Sequence, residues 1–413
     1  MLIKRDNKRE YFLIFLCWLV YTSSYIGRLS FNSNINSIGN DYKLNYSDTG
    51  LISTMFFLAY GIGQVINGIL CNKYNLKLTI FTSLIVSSAM NFLFVLCENI
   101  VLLKYIWLIN GFSMSFLWPL LVRVLSENIS KKNINLSILL MGTTVASGTL
   151  ITYGISALCA AILSYKIVFY IASILLIFLA LVWFLSYKHL VVFKNDNESE
   201  VIIKKDLRQN KGIVNLGSLL VVLIIIAIAN NFVKDGLTLW TPDILNTLYG
   251  IPDWLSILLT LFLPTLAIFG TYFAIILHKK IKNYILLCTV LYGFSFVLLL
   301  MVVMLIPYNQ ISITIGSFAF VSCFMAGVNN IITSMIPLEM REKVDSGKLV
   351  GILNGFCSLG STLSAYSLGL FSDLFGWSAV FIVLIAVLII TIIIGIIYML
   401  KNGNSSFEKF STK

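Results

Sequence analysis

The chain has 413 residues, of which 58% are hydrophobic and only 11% charged, and its formal net charge is +11. Soluble globular proteins carry roughly 25% charged residues, so this composition excludes a water-soluble fold of this length, intrinsic disorder and a secreted disulfide scaffold. Apolar runs of about 20 residues recur along the chain, and each can cross a hydrocarbon core of roughly 30 Å as a helix. The sequence therefore indicates a polytopic membrane protein.

Twelve membrane spans are predicted, and a single long polar stretch separates the first six from the last six. The alternating segments of ~10 residues that transmembrane β-strands need are absent, so the spans are expected to be helices. The polar stretch predicts an N-terminal bundle over 1–187, a linker over 188–215 and a C-terminal bundle over 216–413. The predicted spans cover about 11–35, 49–71, 78–97, 100–125, 136–163, 167–187, 216–245, 253–277, 284–305, 309–336, 348–372 and 377–400.

The distribution of lysine and arginine predicts the orientation of the chain. With the N-terminus in the cytoplasm, 23 of these residues fall in inside segments and three, Lys43, Lys104 and Lys166, fall outside. An excess of basic residues in short cytoplasmic loops is the usual bias in membrane proteins. Both termini are therefore expected in the cytoplasm, with the chain multi-pass in a plasma (inner) membrane. The same bias accounts for the positive charge without nucleic acid as a partner.

The two halves share a weak internal repeat. The pattern Thr-Leu-x-x-Tyr runs from Thr149 to Tyr153 in span 5 and from Thr362 to Tyr366 in span 11. Duplicated six-span halves are typical of transporters whose binding site lies near the middle of the membrane. The expected fold is an all-α membrane protein with twelve transmembrane helices in two six-helix, pseudo-symmetric bundles.

Three basic residues, Arg28, Arg123 and Lys234, fall within predicted spans, and Arg28 and Lys234 lie at equivalent depths in the first helix of each half. A cation at the bilayer centre costs roughly 2.5–3.5 kcal/mol, so Arg28 in span 1 and Lys234 in span 7 either reach the interface or face a central cavity. The one acidic residue near a span interior is Asp235, and neighbours on a helix point about 100° apart, so Asp235 need not neutralise Lys234. The span interiors are therefore expected to hold cations without matching anions. Unbalanced cations predict an anionic substrate.

Further candidate substrate contacts share a helix face with these cations or lie on neighbouring spans. Each of them could equally serve as a polar contact between helices. The candidates are Tyr25, Tyr60, Gln64, Trp118, Asn230 and Asn329.

Small residues and one more arginine are expected to have structural or gating roles. Gly142 and Gly148 on span 5, and Gly355 and Gly360 on span 11, favour close helix packing, and smooth surfaces of this kind also allow sliding. Arg123 lies at the expected cytoplasmic end of span 4, where snorkelling or loop contacts are the simplest role.

The residues needed for other chemistry are missing from the sequence. There is no metal-binding cluster, no nucleophilic set within the membrane and no G-x-x-x-x-G-K-[ST] loop. We therefore expect no enzyme activity, no cofactor, no metal and no ATP hydrolysis. No carboxylate or histidine relay is evident, which argues against a proton-driven symporter.

Spans 1, 4 and 7 each contain a short motif: Tyr25-x-x-Arg28, Gly111-x6-Trp118-Pro119-x3-Arg123 and Lys234-x-Gly236-x3-Trp240-x-Pro242. These three motifs resemble segments of the organophosphate:phosphate antiporters, a family of major facilitators. The resemblance implies the major-facilitator fold and alternating access. It also implies that Arg28 and Lys234 bind the phosphate of the substrate, with lysine where the family usually has arginine.

These patterns together predict a monomeric carrier of a small anion in the lipid bilayer. The favoured substrate is a phosphorylated metabolite exchanged for inorganic phosphate, because a phosphate monoester carries about −1.5 to −2 charges and two cations nearly balance it. One alternative is a major facilitator that carries an organic carboxylate together with a cation. Another is a transporter-like sensor that binds the anion and signals through a partner.

Overall fold

The computed structural model describes residues 7–130, 132–190, 217–340 and 346–402. Twelve helices in these residues are long and apolar enough to cross a membrane, which confirms the predicted number of spans. The described ranges contain helices and turns and no β-strand. The predicted all-α fold is therefore confirmed.

The first six spans follow one another through short turns. Span 4 is broken by a turn after Met114, and a short helix, Ile35–Tyr42, links span 1 to span 2. In order, the helices are Asn7–Ser33, Tyr46–Leu70, Leu76–Leu96, Ile100–Met114 with Leu117–Asn128, Ile134–Ile162 and Lys166–Leu190.

The last six spans repeat this arrangement, and spans 8 and 10 are broken. Span 10 continues past Asn330 through a π-helical turn, Ile331–Met335. Residues 191–216 of the predicted linker and its boundary lie outside the described ranges. The helices are Gly217–Tyr249, Asp253–Thr260 with Phe262–His278, Tyr284–Leu305, Ile311–Asn330 with Ile336–Glu339, Ser346–Phe375 and Trp377–Asn402.

The two halves are hydrogen-bonded to each other at one end of the bundle. We call this the distal end, because it is opposite the end at which span 1 begins, the terminal end. Asp253 at the start of span 8 accepts hydrogen bonds from Asn36 Nδ2 at 2.6 Å and Ser37 Oγ at 2.8 Å. Asp373 of span 11 accepts the backbone N–H of Tyr46 at 2.9 Å. These bonds hold the distal end closed.

Spans 2 and 11 pack tightly against each other along the boundary between the halves. A Cβ added at Gly50 would clash with the Ala365 carbonyl oxygen, and one added at Gly61 would lie 2.7 Å from Ser358 Cβ. Near the terminal end the packing loosens. A Cβ added at Gly68 of span 2 would meet no described atom within 4 Å.

Candidate substrate-binding site

Glycines place spans 5 and 11 against spans 1 and 7 in equivalent ways. A Cβ added at Gly148 of span 5 would lie 2.6 Å from the Thr22 carbonyl oxygen of span 1. A Cβ added at Gly360 of span 11 would clash with the Ile228 carbonyl oxygen of span 7. The backbones can approach this closely only because neither position has a side chain. The two contacts are related by the symmetry of the halves.

This symmetry places the two candidate cations at the same level of the bundle. Arg28 follows Thr22 by six residues, and Lys234 follows Ile228 by six residues. Because the two preceding carbonyls make equivalent contacts, Arg28 and Lys234 occupy matching positions in the first helix of each half. The matching depths predicted from sequence are therefore present in the structure.

Arg28 is surrounded by aromatic rings. Its guanidinium carbon lies 4.1 Å from the centre of the Tyr60 ring, 5.2 Å from that of Tyr25 and 5.8 Å from that of Phe56. A guanidinium over ring faces is attracted by the ring quadrupoles. Its Nε atom is buried and has no hydrogen-bond partner among the described residues. The side chain therefore keeps unused donors for a ligand.

Most of the other candidates from the first half surround Arg28. Gln64 Nε2 donates a hydrogen bond of 2.7 Å to the Tyr60 hydroxyl. Trp118 lies 4.8 Å, centre to centre, from the ring of Tyr21, which in turn contacts the Tyr25 ring at 5.7 Å. Spans 1, 2 and 4 thus bring the predicted side chains into one polar and aromatic cluster. Phe56, which carries no polar group, is a member that sequence reasoning missed.

Lys234 has a carboxylate beside it, contrary to the expectation from sequence. Its Nζ atom lies 3.4 Å from Asp235 Oδ1, and the two side chains are 27% and 24% exposed. The side chains of Lys234 and Asp235 leave the helix in different directions, but the flexible four-carbon lysine chain bends far enough to reach the carboxylate. The predicted absence of a matching anion is therefore wrong for Lys234.

Asp235 is in turn held by polar groups of spans 7 and 11. It accepts hydrogen bonds from Asn231 Nδ2 at 3.1 Å and from the Ser361 hydroxyl. Neither donor was a sequence candidate, although Asn231 precedes Asp235 by four residues and so shares its helix face. Asp235 is also near enough to Arg28 and Tyr25 of the first half for a weak electrostatic interaction.

The two predicted asparagines of the second half support this cluster rather than contact Lys234 directly. Asn230 is fully buried and donates a hydrogen bond of 3.0 Å to Asn231 Oδ1. Asn329 is partly buried, and its Oδ1 atom accepts the Cys357 thiol at 3.8 Å. Asn230 therefore orients the amide that holds Asp235.

A second acidic residue of span 7 is buried, and this corrects the expectation that Asp235 stands alone near a span interior. Asp243 is only 1% exposed. The span 7 helix continues to Tyr249, which is four residues beyond the predicted end, so Asp243 lies well inside it. It belongs to the distal end and not to the Arg28 cluster.

The predicted structural and gating residues are scattered. Arg123 Nε forms an ion pair of 2.6 Å with Glu127, and its Nη1 donates to the Tyr74 carbonyl oxygen at 3.3 Å. A Cβ added at Gly355 would lie 3.1 Å from Val65 Cγ2 of the other half, whereas one at Gly142 would meet nothing described within 4 Å.

Comparison with curated proteins gives short partial matches. The chain is 28% identical over 119 residues to the "Membrane sensor protein UhpC" of Escherichia coli strain K12, and the match covers 29% of this chain and 27% of that protein. It is 28% identical over 131 residues to a "Probable hexose phosphate transport protein" of Chlamydia trachomatis, which covers 32% of this chain and 29% of that protein. The chain thus matches less than a third of the length of these relatives.

Solved structures show the fold over almost the whole chain. A bacterial homolog of the human lysosomal transporter Spinster, in an inward-facing and occupied conformation, aligns with a TM-score of 0.73 at 14% identity and covers 95% of this chain and 97% of that one. The nucleoside transporter NupG aligns with a TM-score of 0.73 at 12% identity and covers 95% and 99%. The sequence matches the Major Facilitator Superfamily profile over residues 17–344. The chain therefore belongs to the Major Facilitator Superfamily.

Proposed function

We propose that this transporter exchanges a small phosphorylated metabolite, such as a sugar phosphate, for inorganic phosphate by alternating access. The observation that carries the proposal is Arg28, which faces the interior of the bundle with unused donors and no described hydrogen-bond partner for Nε. A guanidinium binds two phosphate oxygens as a planar fork. The partial relatives named as hexose phosphate transport proteins support the same substrate class.

The net charge of the whole site is smaller than that of two unpaired cations, because Asp235 lies beside Lys234. With Asp235 ionised, Arg28, Lys234 and Asp235 sum to one positive charge. A phosphate ester carries about −1.5 to −2 charges, so a bound ester draws Lys234 towards itself and away from Asp235. We propose that Lys234 exchanges Asp235 for the substrate phosphate on binding.

The remaining side chains suit the organic part of such a substrate. The Tyr60 hydroxyl, the Gln64 amide and the rings of Tyr25 and Trp118 combine hydrogen-bonding groups with flat apolar surfaces. Sites for small polar metabolites commonly combine a few placed polar groups with aromatic walls. We infer that these residues contact the sugar-like moiety.

Counterflow in proteoliposomes tests this proposal. Vesicles loaded with unlabelled substrate take up labelled substrate transiently if the protein carries both. The panel is a hexose phosphate, glycerol phosphate, inorganic phosphate and a monocarboxylate. We expect counterflow with the phosphate compounds. Counterflow with the monocarboxylate alone would favour a carboxylate carrier instead.

A sensor is the second candidate function, because one group of partial relatives carries the name of a membrane sensor. A sensor binds the same anion but need not move it. Binding of a phosphate ester that stabilises the purified protein, without counterflow for any compound of the panel, would favour the sensor.

We also propose the arrangement of the chain in the membrane. The substrate is anionic, the functional unit is a monomer, and ATP is not used. Both termini lie in the cytoplasm, which places Lys43, Lys104 and Lys166 outside. Residues 1–187 and 216–413 act as two bundles joined by the 188–215 linker. Labelling of single cysteines from each side of sealed vesicles tests the orientation.

A further inference from the structure

A polar cavity of about 210 Å³ lies at the closed distal end, away from the Arg28 cluster. It is formed by both halves of the protein: the first contributes the short helix 35–42 and the start of span 2, and the second contributes spans 7 and 11. Its lining is rich in oxygen-bearing side chains. The lining residues include Asn36, Asn40, Asn45, Thr49, Asp243 and Asp373.

Asp243 is a buried carboxyl group with no cation beside it among the described residues. It is 1% exposed, and its Oδ2 atom is buried with no hydrogen-bond partner among the described residues. A buried ionised carboxylate is strongly unfavourable unless a cation or hydrogen-bond donors compensate it. The neighbouring carboxylate of Asp253 adds repulsion.

The basic side chains at this end are engaged elsewhere or lie outside the cavity. Lys104 pairs with Asp48 at 3.2 Å, and Lys166 pairs with Asp41 at 2.9 Å. In the described ranges no basic side chain forms an ion pair with Asp243. Within the part of the chain that the structure describes, this carboxylate is therefore left without a basic partner.

Asp243 and Asp373 are the two carboxylates of the cavity lining, and neutral oxygens complete a ligand set around them. Asn36 donates its amide N–H to Asp253, which leaves its carbonyl oxygen available to a ligand. Asp373 accepts the backbone N–H groups of Tyr46 and Ser47 at 2.9 and 2.7 Å, and each of its oxygens keeps a further lone pair. Among the described residues no group of three or more His, Cys, Asp or Glu is placed to hold a metal ion, so neutral oxygens and water must supply most of the ligands of any cation here.

We propose that this cavity binds a hard, oxygen-seeking metal cation, Na⁺ or Ca²⁺, between Asp243 and Asp373. Such cations take carboxylate, amide and water oxygens together. The cavity has room for the ion and its waters, since one water needs roughly 10–15 Å³. Because both halves supply ligands, the site exists only while the distal end is closed. The cation therefore stabilises the distal-closed state, whatever the transported substrate is.

The thermal stability of the purified full chain in detergent tests this site. After treatment with a chelator, melting is measured in choline chloride, NaCl or CaCl₂ at matched ionic strength. We expect either NaCl or CaCl₂ to give a melting temperature several degrees higher than that in choline chloride. The salt that does so identifies the bound ion. Asp243→Asn should abolish the shift, Asp373→Asn should weaken it, and Asp48→Asn, at the same end but outside the cavity, should retain it.

Several results would overturn the proposal, and two of them come from the melting experiment itself. One is the absence of any metal-dependent shift in the unsubstituted protein. The other is a shift of equal size in Asp243→Asn. A stability that rises on acidification and ignores both metals would assign a proton, not a metal, to Asp243. If Asp243→Asn does not fold, Asn40→Ala provides a second variant, in which the metal should stabilise at a several-fold higher half-saturating concentration. An unchanged half-saturating concentration in Asn40→Ala would also contradict the proposal.

Discussion

Arg28 is held by ring faces rather than by a carboxylate, and this decides what its removal should do. The rings of Tyr25, Phe56 and Tyr60 surround its guanidinium at 4.1–5.8 Å. Arg28 Nε has no hydrogen-bond partner among the described residues. We therefore expect the protein without substrate to stay folded when Arg28 is replaced. Binding of the substrate should not tolerate it, because the planar fork is lost.

We expect Arg28→Ala to lower the affinity for phosphate esters by about 10- to 100-fold, since hydrogen bonds to charged groups contribute about 1.5–3 kcal/mol. Arg28→Lys should lose part of that affinity. The measurement is counterflow together with thermal stability in detergent. Lys104→Ala, a basic residue at the distal end, is the matched control. Normal counterflow in Arg28→Ala would refute the site.

The Lys234–Asp235 pair predicts opposite effects of two substitutions that each remove one charge. Asp235→Asn removes the negative charge that competes for Lys234, so doubly charged esters should bind more tightly relative to a monocarboxylate. Lys234→Gln should shift the preference the other way. Competition against a labelled phosphate ester measures the ratio. If both variants change the two substrates equally, this pair supports the helices and does not contribute to selectivity.

Helix packing at the scale of single elements depends on where small residues face. Gly148 lies against Thr22 and Tyr25, with 2.6 Å between an added Cβ and each of the nearest atoms of those residues. Gly142, two turns earlier on the same helix, faces open space. The same substitution at these two positions should therefore have opposite effects.

We expect Gly148→Ala to destabilise the protein by about 1–3 kcal/mol, because the added methyl group overpacks the contact between spans 1 and 5. It should also weaken transport by displacing Tyr25. Gly142→Ala should be neutral or stabilise by about 0.5–1 kcal/mol through helix propensity. Thermal unfolding and counterflow of both variants test this. Equal stability of the two would mean that the close contact is not present in the membrane.

At the scale of the whole molecule, the distal hydrogen bonds set the balance between conformations. Asp253 accepts from Asn36, Ser37 and Asn246 at 2.6, 2.8 and 3.0 Å. Two of these donors belong to the other half of the protein, so the bonds form only when the distal end is closed.

Asp253→Ala should shift the equilibrium towards a distal-open state by about 2–4 kcal/mol, because several charge-assisted hydrogen bonds are lost. The distance between spin labels at the exposed residues Lys43 and Gln310 reports the opening. Asp41→Ala is the control, since Asp41 bonds Tyr165 and Lys166 within the first half at 2.6 and 2.9 Å. An unchanged distance distribution in Asp253→Ala would show that other contacts close the distal end.

Exchange itself is also a property of the whole molecule. An empty site keeps one net positive charge, and this charge raises the free-energy barrier of the conformational change, because the site is closed from water on both sides midway. A bound anion neutralises the charge and lowers the barrier. We expect loaded vesicles to release labelled substrate only when an anion of the panel is present outside. Equal release into anion-free buffer would instead indicate uniport.

The amino-acid sequence determined the number of spans and the all-α fold, and it gave the prediction that Arg28 and Lys234 are the cations of the site. These features depend on local quantities: the length of apolar runs, the position of charges within them and short motifs. The tertiary structure decided which groups meet. Asp235 reaches Lys234 through a side-chain conformation, Ser361 joins it from another helix, and Asp243 is buried beside a cavity that both halves line. Contacts between distant segments depend on how the helices pack, and the sequence pattern of a single helix does not specify that packing.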